Sequence, residues 1–178
     1  MTAPVLSRPV AVSGLHGGAT VSVSATPSER TALAAAYDLL EVRDLSAAAT
    51  LTEEAGGAIS VTGRVTADIS QSCVVTLDPV AQQIDEAFAA RFVRPGSPEL
   101  PAALPRHEEI VVDPAAPDPP EVLSGGSIDL GRIVEEAFVL SIDPYPRSPG
   151  AVLASEAADA DRSDSPFAVL ARLKAAKG

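Results

Sequence analysis

Cys73, His16 and His107 are the side chains of this 178-residue chain that could supply a nucleophile and its base. That chemistry needs the sulfur as thiolate, within reach of an imidazole. Cys73 lies in Gln71-Ser72-Cys73-Val74-Val75-Thr76-Leu77, a Val-rich, strand-like stretch. A thiol there is expected to be a buried small hydrophobe with a raised pKa, and so inert. The two histidines fall in loop-like segments without the spacing of a metal motif, and a single cysteine does not complete a structural zinc site. Asp159, Asp161 and Ser163 imitate the start of a calcium loop. Its sixth position is Asp164 rather than Gly and its twelfth is Leu170 rather than Glu, which breaks the pattern. The glycine pairs at 17–18, 56–57 and 125–126 read as turns, since none belongs to the G-x-x-x-x-G-K of a phosphate cradle. Glu135 and Glu136 are helix neighbours pointing in different directions, and they are expected to form a solvated face rather than an acid–base pair. The chain is therefore expected to be no enzyme, with no catalytic residue, no cofactor and no metal.

Recognition chemistry is better represented. Residues 127–150 read SIDLGRIVEEAFVLSIDPYPRSPG. This is an amphipathic helix that stops at Asp143 and runs into a stiff tip of Pro144, Pro146 and Pro149, with Tyr145 and Arg147 between the prolines. A rigid tip that shows a ring and a guanidinium loses little freedom on contact. Arg8, Arg172 and Lys174 also sit beside proline-marked boundaries or amphipathic elements. Together with Tyr145 and Arg147 they are the candidate partner-binding residues. In the competing reading each cation covers an apolar edge or pairs with one of the many carboxylates, and an Asp143–Arg147 pair makes the tip a structural latch.

The formal net charge of −11 repels phosphate and favours a basic protein partner over non-specific nucleic-acid binding. Aromatic residues make up 3% of the chain and Trp is absent, so the core must come from Val, Leu, Ile and Ala. One cysteine allows no internal disulfide. The first residues show no apolar signal region, and no apolar run approaches the roughly 18 residues of a membrane span. A cytoplasmic protein without membrane contact is the expectation.

The positioning elements follow from spacing. Alternation over 5–12 and again at Val21, Val23 and Ala25 predicts a hairpin across 5–25, with Pro9 at an edge. Thr26-Pro27-Ser28-Glu29 is a capping box that opens a helix over 27–38. Ile59, Val61, Val65, Ala67 and Ile69 alternate with polar residues. That parity continues to Leu77, which predicts a long, bent strand with Cys73 on the core face. Gly56-Gly57 joins it to a strand near 47–54. Ile84, Phe88 and Phe92 fit a helix or a strand by spacing, and the need for a hairpin partner favours a strand over 82–93. Residues 94–121 hold eight prolines and several carboxylates, the composition of a mobile acidic loop. Leu130, Ile133, Val134, Ala137 and Phe138 match the amphipathic-helix template, with Asp129 as cap. Residues 151–164 read as a disordered linker before a short helix that starts at Ser165-Pro166 and carries Phe167. The sum is a single domain over 1–178 of α+β class. A mostly antiparallel, curved sheet, compatible with a partly closed barrel, packs with two or three helices.

Four segments resemble the YceD family, the large ribosomal RNA subunit accumulation proteins. They are Leu6-Ser7-Arg8-Pro9, QSCVVTLDPV at 71–80, IDLGRIVEEAFVLSIDPYPRSPG at 128–150 and SPFAVLARLK at 165–174. Gln71, Cys73, Asp129, Asp143, Pro144, Pro146, Pro149 and Phe167 are the motif positions. Many members carry C-x-R-C-L where this chain has Cys73-Val74-Val75-Thr76-Leu77, a variant similar to the alphaproteobacterial branch. The missing second cysteine puts any metal or redox role of that pair in doubt here. The resemblance implies a non-enzymatic ribosome-assembly factor that supports 23S rRNA accumulation. Its partners would be a ribosomal protein or rRNA-processing factor, with large-subunit rRNA touched at most locally. A protein-interaction module unrelated to ribosomes is the alternative.

Overall fold

Thr26 opens the first helix because both halves of its capping box close. In the computed structural model, which describes residues 4–13, 15, 18–100 and 119–152, Glu29 donates its N–H to Thr26 Oγ1 at 3.3 Å. Glu29 Oε2 accepts the Thr26 N–H at 2.8 Å. Helix α1 (Pro27–Ala36) buries Leu33 and ends two residues short of the expected limit. Asp38 takes a left-handed φ of +54°, which stops helical propagation.

The sheet is built from two long hairpins. Strand β2 (Ala19–Ser24) pairs with β3 (Glu41–Glu53), β3 with β4 (Ile59–Ser72), and β4 with β5 (Pro79–Val93), all antiparallel. The β3–β4 turn places Gly56 and Gly57 at φ of +92° and +81°, which glycine adopts without strain. Strand β3 starts six residues before its sequence-predicted limit. A bulge between Val42 and Asp44 shifts the register, so Val42 and Leu45 both turn inward and the alternation breaks. Residues 82–93 are strand, as hairpin pairing required. Strand β4 does not reach Leu77; it ends at Ser72, and residues 73–78 form the turn.

Strand β6 (Glu121–Val122) runs parallel to the end of β5 and completes the order β2-β3-β4-β5-β6. Among the described residues the sheet stays open, and β6 covers only Phe92 and Val93 of β5's outer edge. The expected loop over 94–121 falls mostly on residues 101–118, which lie outside the described residues. Contacts divide the chain into one compact unit over 1–148 and a second over 149–178. Only 149–152 of the second unit are described, so most of the expected linker and the helix after Ser165 also fall outside.

The expected 5–25 hairpin is corrected. Strand β1 (Pro9–Ala11) pairs instead with β7 (Ser127–Asp129), in the register Val10–Ile128. Helix α2 (Leu130–Leu140) follows at once, capped by Asp129, and buries Leu130, Val134 and Phe138 as an i, i+4, i+8 stripe. These meet Leu6, Leu33, Leu45, Leu51, Val61, Val65 and Ile69 in one core. Glu135 was expected in solvent and is buried. Its carboxylate accepts the Leu6 N–H at 2.7 Å and the Tyr37 hydroxyl at 2.6 Å. Burial, with that hydrogen bond, pushes Tyr37 up to about 12.

Candidate functional site

Helix α2 delivers its last turn to the far end of the β4–β5 hairpin, and the chain there is stitched down residue by residue. Ser141 Oγ donates back to the Ala137 carbonyl at 2.7 Å. Pro144 forces the residue before it out of helical geometry. Gln82, inward on β5, bridges two points: its Nε2 donates to the Ser141 carbonyl at 2.8 Å and its Oε1 accepts the Asp143 N–H at 3.1 Å. Gln71, at the end of β4, donates to the Asp143 carbonyl at 2.9 Å. Its Oε1 is buried without a partner among the described residues. Asp143 Oδ1 accepts the Tyr145 N–H at 2.8 Å and closes a local turn. The Pro146 carbonyl accepts the Val74 N–H at 2.9 Å.

The 73–78 turn is itself tight. Cys73 donates its N–H to the Asp78 carbonyl and accepts from Leu77 N–H, and Leu77 sits at φ +64°. The Cys73 side chain is fully shielded. Its sulfur accepts from the N–H groups of Val75, Thr76 and Ser148 at 3.3–3.4 Å and from the Ser148 hydroxyl at 3.5 Å. These donors, the Ser148 side chain first and Thr76 next, outweigh burial and push the thiol down to about 6. The expected raised pKa is thus reversed. A Val-rich neighbourhood says nothing about where backbone N–H groups point, and here they converge on the sulfur. Thr76 faces the same sulfur.

The result is a latch that also presents side chains. Pro146 is buried, whereas Tyr145 is 73% exposed and Arg147 is exposed beside the exposed Val74 and Leu77. Arg147 has no ion pair among the described residues, and Asp143 is used on the Tyr145 amide rather than on a guanidinium. Pinning therefore comes from the Gln71 and Gln82 side chains, the backbone and the Cys73 sulfur, which leaves Tyr145 and Arg147 facing out.

The other candidate cations are not brought here. Arg8 forms a two-pronged pair with Glu29, both contacts at 2.9 Å, and its N–H reaches Asp129 Oδ1 at 2.7 Å. The Arg8 guanidinium, followed by the Thr26 amide, holds Glu29 down at about 2. Arg8 sits at the start of α2 and the tip at its end, separated by an 11-residue helix, or roughly 16 Å. Phe167, Arg172 and Lys174 lie outside the described residues, and Pro149 belongs to the second unit. Gln82, Ser148, Val74 and Leu77 are site residues that spacing missed. Gln82 left one trace, a polar residue at an inward parity position between Val80 and Ile84.

Among the described residues no three His, Cys, Asp or Glu side chains gather as a metal site needs, and no helix is long and apolar enough to cross a membrane. Fold and tip define the class: an α+β scaffold whose open, mostly antiparallel sheet carries a pinned, outward-facing proline loop. The chain belongs to the YceD family. The family model described as "Large ribosomal RNA subunit accumulation protein YceD" matches residues 61–174, from near the start of β4 to beyond the tip. No curated protein and no solved structure gives a significant match.

Proposed function

We propose that this protein is a non-enzymatic assembly factor that supports accumulation and processing of 23S rRNA in the cytoplasm. It works mainly through a basic protein partner, a ribosomal protein or an rRNA-processing factor. The family match carries this reading, because the family is described by large-subunit rRNA accumulation. The net charge of −11 supports a protein partner over bulk RNA binding. The pinned tip supports a defined contact: Tyr145 offers a flat ring and Arg147 a guanidinium with no ion pair among the described residues, on a backbone that loses little freedom when bound. Direct RNA contact is limited to this patch, where one base can stack on Tyr145 beside Arg147. Deleting the gene should lower mature 23S relative to 16S RNA, read on total RNA. An unchanged ratio in all growth conditions would rule the reading out.

A further inference from the structure

Strand β5 has a second feature, away from the tip. Its outer edge has no strand partner from Pro79 to Arg91 among the described residues, since β6 pairs only at Phe92 and Val93. An open edge offers a row of unpaired N–H and C=O groups, and proteins ordinarily cover or blunt such edges. A groove of about 890 Å³ runs along this edge, between the start of β6 and the end of α2. Glu86, Phe88, Glu121, Glu136, Ala137 and Leu140 line it.

Two properties of the groove define what it takes. The first is an apolar surface left open: Phe88 and Ala137 are half-buried, and Leu140 is 80% exposed although it ends the core helix. The second is charge. Glu86 pairs in register with the fully buried Val65, so it stands on the core-bearing face of the sheet and is still exposed. Glu121 and Glu136 are exposed as well and have no ion-pair partner among the described residues, and Glu86 feels the Arg64 guanidinium, which is itself paired with Asp85. Among the described residues the one cation lining the groove, Arg91, is committed to Glu54 and Glu99. Three exposed carboxylates beside an open edge repel phosphate and attract Lys and Arg.

We propose that the β5 edge takes an extended, cationic segment of a protein partner as an added strand. The segment's main chain pairs with β5 between Glu86 and Arg91. Its apolar side chains lie on Phe88 and Leu140, and its basic ones lie against Glu86, Glu121 and Glu136. This rests on the reading that the partner is basic, and it adds the surface and the binding mode.

The test uses the full chain and a fluorescent eight-residue peptide, Lys-Thr-Val-Thr repeated twice, whose Lys and Val side chains share one face of the strand, followed by anisotropy. Three changes should each weaken binding at least tenfold: replacing Lys by Glu in the peptide, N-methylating every peptide amide, and combining Glu86→Lys with Glu136→Lys in the protein. Glu41→Lys with Asp44→Lys, a charge-matched change on β3, should leave the affinity within twofold. Equal binding of the N-methylated peptide would overturn strand addition. An equal loss in the β3 variant would overturn the location. Binding that appears only after residues 101–118 are deleted would assign the edge to the chain's own segment and overturn the proposal. Peptide binding at the groove with an unchanged 23S ratio on gene deletion would sink the assembly reading and leave this one standing. A lowered 23S ratio without peptide binding would do the reverse.

Discussion

The Cys73 sulfur accepts from three backbone N–H groups and one hydroxyl, and this ties the tip's stability to pH. Its folded value of about 6 lies below the ordinary thiol value near 8.5. The stabilisation is therefore complete above the ordinary value and is lost as pH falls through about 6. The thermal midpoint of Cys73→Ala should fall furthest below that of the unmodified chain near pH 9, and the gap should narrow towards pH 5.5. A gap that stays constant across this range would contradict the thiolate. At this scale the sequence was legible for identity but not for environment. Cys73 was correctly expected to be buried, yet its titration depends on Ser148, 75 residues away, and no local pattern announces that contact. Arg8 was likewise visible as a notable cation, while its partner Glu29 was visible only as half of a capping box.

Elements that repeat a simple period were readable, and elements set by long-range pairing were not. The α1 box, the α2 stripe and the alternation of β4 each follow from local spacing. The first half of strand β3 was not legible because a bulge breaks its alternation, and β1 was assigned to the wrong neighbour because sequence proximity favours a hairpin. The residue that fixes the true pairing is Gly131. A Cβ there would lie 2.8 Å from backbone atoms of Leu6, Ser7 and Arg8, none of which can step aside alone. Gly131→Ala should cost about 1–3 kcal/mol by overpacking. The loss should appear first as faster amide exchange in β1 and β7, with the β3–β4 hairpin still protected. Uniform loss across the sheet would contradict this account.

For the whole molecule, fold and contact surface are separable. Tyr145 and Arg147 face solvent, whereas the tip is held by Gln71, Gln82, Cys73 and Ser148. Tyr145→Ala with Arg147→Ala should change stability by less than about 0.5 kcal/mol. In cells it should lower the 23S to 16S ratio towards that of the deletion. A normal ratio would move the contact off the tip. The buried carboxylate of Glu135 and the cap Asp129 have a consequence in time. They hold the amides of Leu6 and Arg8 across 129 and 121 residues of chain. At roughly 5–20 residues per second of synthesis, those early amides wait ~6–25 s before their acceptors exist. The hairpins of β3, β4 and β5 can assemble within that interval, while the stretch around Leu6 stays available to any chaperone or protease near the ribosome exit. The clasp therefore closes last: β1 is locked only once α2 has been made.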